Sequence, residues 1–100
     1  MNKHYVYVLH SLVDSRWYIG QTGDLPEERL KEHNRGQVFS TRGRRPLELV
    51  YYEMYLGKSD ALGRERFLKG GSGHRYLKKQ LRHYLENRRG VEQSGSSLGS

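Results

Sequence analysis

No cysteine occurs among the 100 residues, so disulfides and thiolate metal sites are excluded. Proline is nearly absent, with Pro26 and Pro46 its two instances. Hydrophobic residues make up only 34% of the chain, and eight of them are tyrosines. That supports one domain with a small, partly aromatic core and phenol hydroxyls at its edges. Long apolar runs are missing too. The run after His4 is too short for a signal peptide or a membrane span, which makes the cytoplasm the simplest location. Five histidines show no His-x-x-x-His or similar spacing, which argues against zinc. No Ser-His-Asp arrangement, P-loop or Gly-x-Gly-x-x-Gly is present.

What the chain does have is positive charge. The net charge is +7 and the isoelectric point is near 9.9. A small domain with that excess points to a polyanion, with nucleic acid as the default. A merely cationic protein is the plain alternative.

Local patterns give an element order. Tyr5-Val6-Tyr7-Val8-Leu9 and Trp17-Tyr18-Ile19 are aromatic and β-branched, which suits strands, and Val13-Asp14-Ser15-Arg16 suits a turn between them. A hairpin folded between Leu12 and Val13 sets Tyr7 opposite Tyr18 on one face. Asp24 with Glu27 reads as a capping box for a helix over 25–34, closed by Gly36. Arg29 and His33, one turn apart, share a face of that helix. Residues 37–46 form a loop in which Ser40 and Thr41 precede Arg42, Arg44 and Arg45, a composition that grips phosphate. A third strand spans 47–55. Ser59 and Ser72 read as caps of helices over 60–69 and 73–85. Leu77, Leu81, Tyr84 and Leu85 form the core stripe of the last helix, opposite a basic strip of Arg75, Lys78, Lys79 and Arg82. From Asn87 the pattern fades, giving a domain over 1–86 and a flexible Gly/Ser-rich tail over 87–100.

Glu65 is the misfit. Its position falls between Ala61 and Leu62 on the face expected to pack on the sheet. A carboxylate there must either pair with a cation or face a pocket and hold a metal ion.

Taken together these residues resemble the GIY-YIG nuclease superfamily, in its small single-domain bacterial form. Tyr5-Val6-Tyr7 corresponds to the first tripeptide, with Tyr5 in place of its glycine. Tyr18-Ile19-Gly20 matches the second letter for letter, ten residues on. Arg29 and His33 correspond to the helical Arg and His, and Glu65 to the metal-binding Glu, followed by Leu68 and Lys69. The match covers roughly residues 4–83. It implies an α+β fold in which a three-stranded antiparallel sheet is flanked by helices in the order β-β-α-β-α-α. It also implies phosphodiester hydrolysis, most simply of DNA, at a site of Tyr7, Tyr18, Arg29, His33 and Glu65. Glu65 would hold one Mg²⁺ or Mn²⁺, Arg29 would stabilise the transition state and Tyr7 would act as general base. Ser40, Thr41, Arg42, Arg44, Arg45 and Lys69 would grip the strand. No attached DNA-reading domain accompanies the match, which suits recognition of structure or single strands. A non-catalytic nucleic-acid-binding module on the same scaffold is the alternative.

Overall fold

The Tyr-Val alternation of residues 5–8 offers two kinds of side chain to two faces, and it forms the centre of a sheet. The computed structural model of the chain describes residues 2–93. Strand β1 (His4–Ser11) lies between β2 (Trp17–Thr22) and β3 (Leu47–Tyr55), antiparallel to both. Helix α1 (Pro26–Asn34) and a 3-10 helical turn (Phe39–Arg44) separate β2 from β3. Helices α2 (Lys58–Lys69), α3 (Gly71–Gln80) and α4 (Arg82–Gln93) follow. This is the α+β order expected, with the final helix divided in two.

Successive strand residues point to opposite faces, and two clusters follow from that. Tyr7, Leu9 and Leu47 pack with Tyr18, Leu30 and Leu49 on the face covered by α1. Val6, Val8 and Ile19 pack with Ala61 and Leu68 of α2 and Leu77 of α3 on the other. Val8 pairs with Tyr51 but Leu9 with Leu49, so β3 bulges at Val50. Such a bulge bends and twists a strand locally.

The hairpin register differs from expectation. Tyr7 pairs with Gly20, and Tyr18 with Leu9. The slip is two residues, so the faces are preserved and the two phenols become diagonal neighbours. Their ring centroids are 6.4 Å apart. The turn residues explain the slip. Ser11 Oγ accepts from the amides of Val13 and Asp14, Asp14 Oδ1 accepts from the amide of Arg16, and Ser15 takes a positive φ of 63°. These bonds centre the turn between Val13 and Asp14.

The capping expectations also need correction. Leu25 is the N-cap of α1 and its aliphatic side chain makes no cap bond, while the Asp24 amide donates to Thr22 Oγ1. Gly57 and Gly70, rather than Ser59 and Ser72, cap α2 and α3. The closure of α1 at Gly36 is as expected, with the Gly36 and Gln37 amides donating to the His33 and Glu32 carbonyls. Gly70 leads into a tight corner, and a Cβ at Gly73 would overlap the Phe67 carbonyl, so α3 can start hard against the end of α2 only with glycine there.

The last stripe bends at Leu81. Leu81 thereby stays against the core while Tyr84 reaches His10 Nδ1 at 2.9 Å and donates to Glu48 Oε1 at 2.9 Å. Helical backbone continues past Asn87 to Gln93, and the remainder of the expected tail lies outside the described residues.

One ion pair ties α2 to the sheet. Arg64 donates through Nε and Nη2 to Glu53 at 3.0–3.2 Å, and Tyr51 and Tyr55 donate to the same carboxylate at 2.8 and 2.7 Å. Burial works to raise the Glu53 carboxyl, but the bonds from Arg64, Tyr55 and Tyr51 prevail and hold it below its ordinary value. A carboxyl held low in the fold contributes stability above its unfolded pKa, and that stability is lost as pH falls through the folded value. Arg64→Ala should therefore cost about 1–3 kcal/mol in urea denaturation, less than a fully buried pair because both side chains are partly solvated. Glu53→Gln should flatten the fall in stability on the acid side of ~pH 4.

Candidate active site

Tyr7 sits at the middle of the middle strand, where ladder bonds on both sides fix its backbone. It is 1% exposed, and its hydroxyl is 2.8 Å from His33 Nε2. His33, on α1, is fully buried, and its Nδ1 lies 2.7 Å from Thr41 Oγ1 in the 3-10 turn. Arg29, one turn before His33, donates through Nε to the Tyr7 oxygen at 3.3 Å and through Nη1 to Glu32 at 2.7 Å. Tyr18 from β2 completes the group, its ring 5.2 Å from that of His33. Ser40 Oγ reaches the Tyr18 hydroxyl at 3.5 Å.

Counting donors assigns the protons. The Tyr7 oxygen already accepts from Arg29, so its O–H is best used on His33 Nε2. Nδ1–H then donates to Thr41, whose hydroxyl donates to the Val38 carbonyl at 3.5 Å. Reversing the line would leave the Tyr7 proton without an acceptor.

Burial sets the charge states. It pushes the Tyr7 phenol up to about 12, against the lowering effect of the Arg29 hydrogen bond and charge. It pulls His33 down to about 4, with the Arg29 charge adding to the effect. Both groups are therefore neutral near pH 7. The lowering effect of the Arg29 cation on Tyr7 is outweighed by desolvation.

Glu65 reaches this group by its field. Its charge adds a small raising effect on Tyr7, after burial and the Tyr18 ring. It lies on α2, and its side chain is 19% exposed rather than facing the middle of the core. Lys69 Nζ lies 3.1 Å from it, an ion pair one turn apart. Buried Tyr7, His33 and Thr41 thus form the inner part of the cluster, and partly exposed Arg29 and Tyr18 the outer part. Among the described residues no group of three or more His, Cys, Asp or Glu could hold a metal ion.

The residues expected to grip a strand divide. Ser40, Arg42, Arg45 and Lys69 are exposed. Arg42 and Arg45 line a hollow of about 350 Å³ with Asn34 and Pro46. Arg44 turns back to the hairpin, where its Nε donates to Asp14 at 2.8 Å and pulls that carboxyl down to about 2. Thr41 is fully buried and spent on His33, so it does not face a phosphate. That role as a support leaves no sign in the sequence, since Thr41 follows His33 across a break in periodicity. Gly20 is likewise readable only as the end of a strand, yet its missing side chain is what admits the Tyr7 ring. A Cβ there would stand 2.5 Å from the phenol oxygen.

The fold and this cluster define a GIY-YIG catalytic domain, whose family model matches residues 3–79. The chain belongs to that family, a family of nucleases. It is 43% identical over 79 residues to a UPF0213 protein of Staphylococcus saprophyticus, covering 78% of this chain and 94% of that one. It is 44% identical over 70 residues to a UPF0213 protein of Staphylococcus aureus, covering 69% of this chain and 83% of the other. A solution structure of a UPF0213 protein from Bacillus halodurans aligns with a TM-score of 0.50 at 33% identity, covering 78% of this chain and 84% of that one. No helix among the described residues is long and apolar enough to cross a membrane.

Gly20→Ala should displace the Tyr7 ring and stretch its bond to His33. The expected results are a changed His33 ring nitrogen spectrum by NMR and a stability loss of about 1–3 kcal/mol. An unchanged spectrum would mean that the ring does not rest on Gly20.

Proposed function

We propose that the protein is a divalent-metal-dependent endonuclease that hydrolyses phosphodiester bonds in DNA, directed by structure or by single strands rather than by sequence. The observation that carries this reading is the buried Tyr7–His33 hydrogen bond with the Arg29 guanidinium donating to the same phenol oxygen. Packing alone has no need of a guanidinium and an imidazole at one buried tyrosine hydroxyl.

The donor set fits a hard cation. Mg²⁺ takes one or two carboxylates and fills its remaining positions with water and substrate phosphate. Glu65 supplies one carboxylate, and Lys69 is half exposed and free to turn outward. When bound, the ion would supply Lewis-acid stabilisation of the scissile phosphate and the leaving oxygen. The protein's own groups do the rest. Arg29, whose Nη2 makes no hydrogen bond among the described residues, presents its fork to the phosphate oxygens and offsets the charge that grows there. Tyr7 accepts the proton of the attacking water as its own proton passes to His33 Nε2, so no phenolate forms at a group held near 12. Thr41 keeps Nε2 of His33 free to accept. Tyr18 orients the water or the phosphate beside it. Arg42, Arg45, Ser40 and Lys69 position the strand.

The Glu65–Lys69 pair favours a second reading, in which the carboxylate is neutralised and the scaffold only binds nucleic acid. One assay separates the two. Single-stranded, nicked and duplex DNA are incubated with the protein, with and without Mg²⁺ or Mn²⁺. Cleavage that needs the metal and disappears in Glu65→Ala supports the enzyme. Binding without cutting in both proteins supports the module. Tyr7→Phe should lower kcat by between about 10²- and 10⁴-fold with binding retained.

The pH dependence follows from His33. The relay needs a neutral imidazole, and the neutral form prevails above the folded pKa. The acid limb of kcat/KM should therefore fall near pH 4, well below the ordinary histidine value. A limb at ~6.5 would show that His33 is not the acceptor.

A further inference from the structure

A second hollow, of about 260 Å³, opens on the opposite side of the sheet, between the hairpin turn and the α3–α4 bend. Ser15, Arg16, Trp17, His74, Lys78 and Leu85 line it. Nothing proposed for the Tyr7 site uses these residues.

Its charge is one-sided. Arg16 and Lys78 are exposed, and among the described residues neither makes an ion pair or a side-chain hydrogen bond. Of the carboxylates of neighbouring elements, Asp14 is taken by Arg44, Glu48 accepts from Tyr84, and Glu86, next to Leu85, lies 3.7 Å from His83 Nδ1. Two free cations and a histidine therefore face one small space. Its wall is aromatic, since Trp17 is half-buried and held edge-on by His74 at 6.1 Å, with Tyr84 at 6.4 Å. Free cations beside an indole held by His74 and Tyr84 suit a ligand with a phosphate and a flat ring.

The position in the fold says where such a ligand comes from. Trp17 and Tyr18 are consecutive on β2, so they point to opposite faces of the sheet. β2 is an edge strand, with no neighbour beyond it. Tyr18 faces the Tyr7 site, and Trp17 faces the hollow. A chain leaving the first face across this edge arrives at the second.

We propose that the hollow holds one nucleotide of the substrate strand, with its phosphate on Arg16 and Lys78 and its base against Trp17, while a phosphodiester of the same strand lies at Tyr7 on the other face. This rests on the nuclease reading. It makes the protein a reader of single strands flexible enough to turn around the edge of β2, and it makes a rigid duplex a poor substrate.

The test uses the one tryptophan of the chain. The wild-type protein, held in EDTA so that the strand stays intact, is titrated with a dT oligonucleotide of about 12 nucleotides, within the ~4–16 that small single-strand binders cover. Saturable quenching of Trp17 emission is expected. Arg16→Glu/Lys78→Glu changes two exposed side chains, and its circular dichroism should match the wild type. It should bind this strand about tenfold or more weakly, and the slope of log affinity against log salt should shrink by about 0.7 for each phosphate no longer neutralised. With Mg²⁺ its KM for the strand should rise while kcat is unchanged. Silent Trp17 emission on binding, or a double variant that binds as the wild type does, overturns the proposal. Saturation by dTMP at lower concentration than by the strand also overturns it, in favour of a free-nucleotide site. A strand that is cut while Trp17 stays silent sinks this proposal alone. A strand that is neither bound nor cut sinks the nuclease reading with it.

Discussion

Leaving a buried hydrogen-bonding group without a partner costs about 1–3 kcal/mol, and Tyr7 and His33 are both buried. Each is therefore obliged to satisfy the other. Meeting that obligation engages most of the molecule. The middle strand fixes Tyr7, Gly20 clears space for its ring, and α1 carries His33 in at the right height. The 3-10 turn brings Thr41 to the far nitrogen. A helix with so few apolar residues holds its place through Leu30, Pro26 and this polar line.

Charge is arranged around that neutral centre. Arg29 is shared between Tyr7 and Glu32, and Arg44 is spent on the hairpin turn. The Glu53–Arg64 clamp fastens α2 to β3, and α2 is the helix that carries Glu65. That clamp thus helps to set the position of Glu65. The remaining cations stay outside, where solvent screens them and a polyanion can reach them.

The strands, their order and the pairing of Arg29 with His33 are legible in the sequence because each rests on a short-range period. The third strand reads residue for residue as Leu47–Tyr55. The helix starts do not. Asp24, Ser59 and Ser72 have the chemistry of caps, but backbone geometry gives the cap positions to Leu25, Gly57 and Gly70. The hairpin register differs by two residues from a symmetric fold, because Ser11 and Asp14 bonds decide it. Within the site, the convergence of Tyr7, Tyr18, Arg29 and His33 is what the family resemblance implies. The inward role of Thr41 is not implied, because it depends on how a non-periodic turn folds back on α1. The raised phenol and the lowered imidazole are products of burial, which no single stretch of sequence displays.

Gly73 ties these parts together in a way that bears on how such a chain can change. The corner it permits is so tight that α3 has no slack against the end of α2. Glu65 lies two turns before that corner, and His74 and Lys78 lie just after it. Any residue added or enlarged there would move the carboxylate and the cationic hollow relative to each other. The span between the α2 carboxylate and the hollow beside α3 is a fixed length built into the backbone.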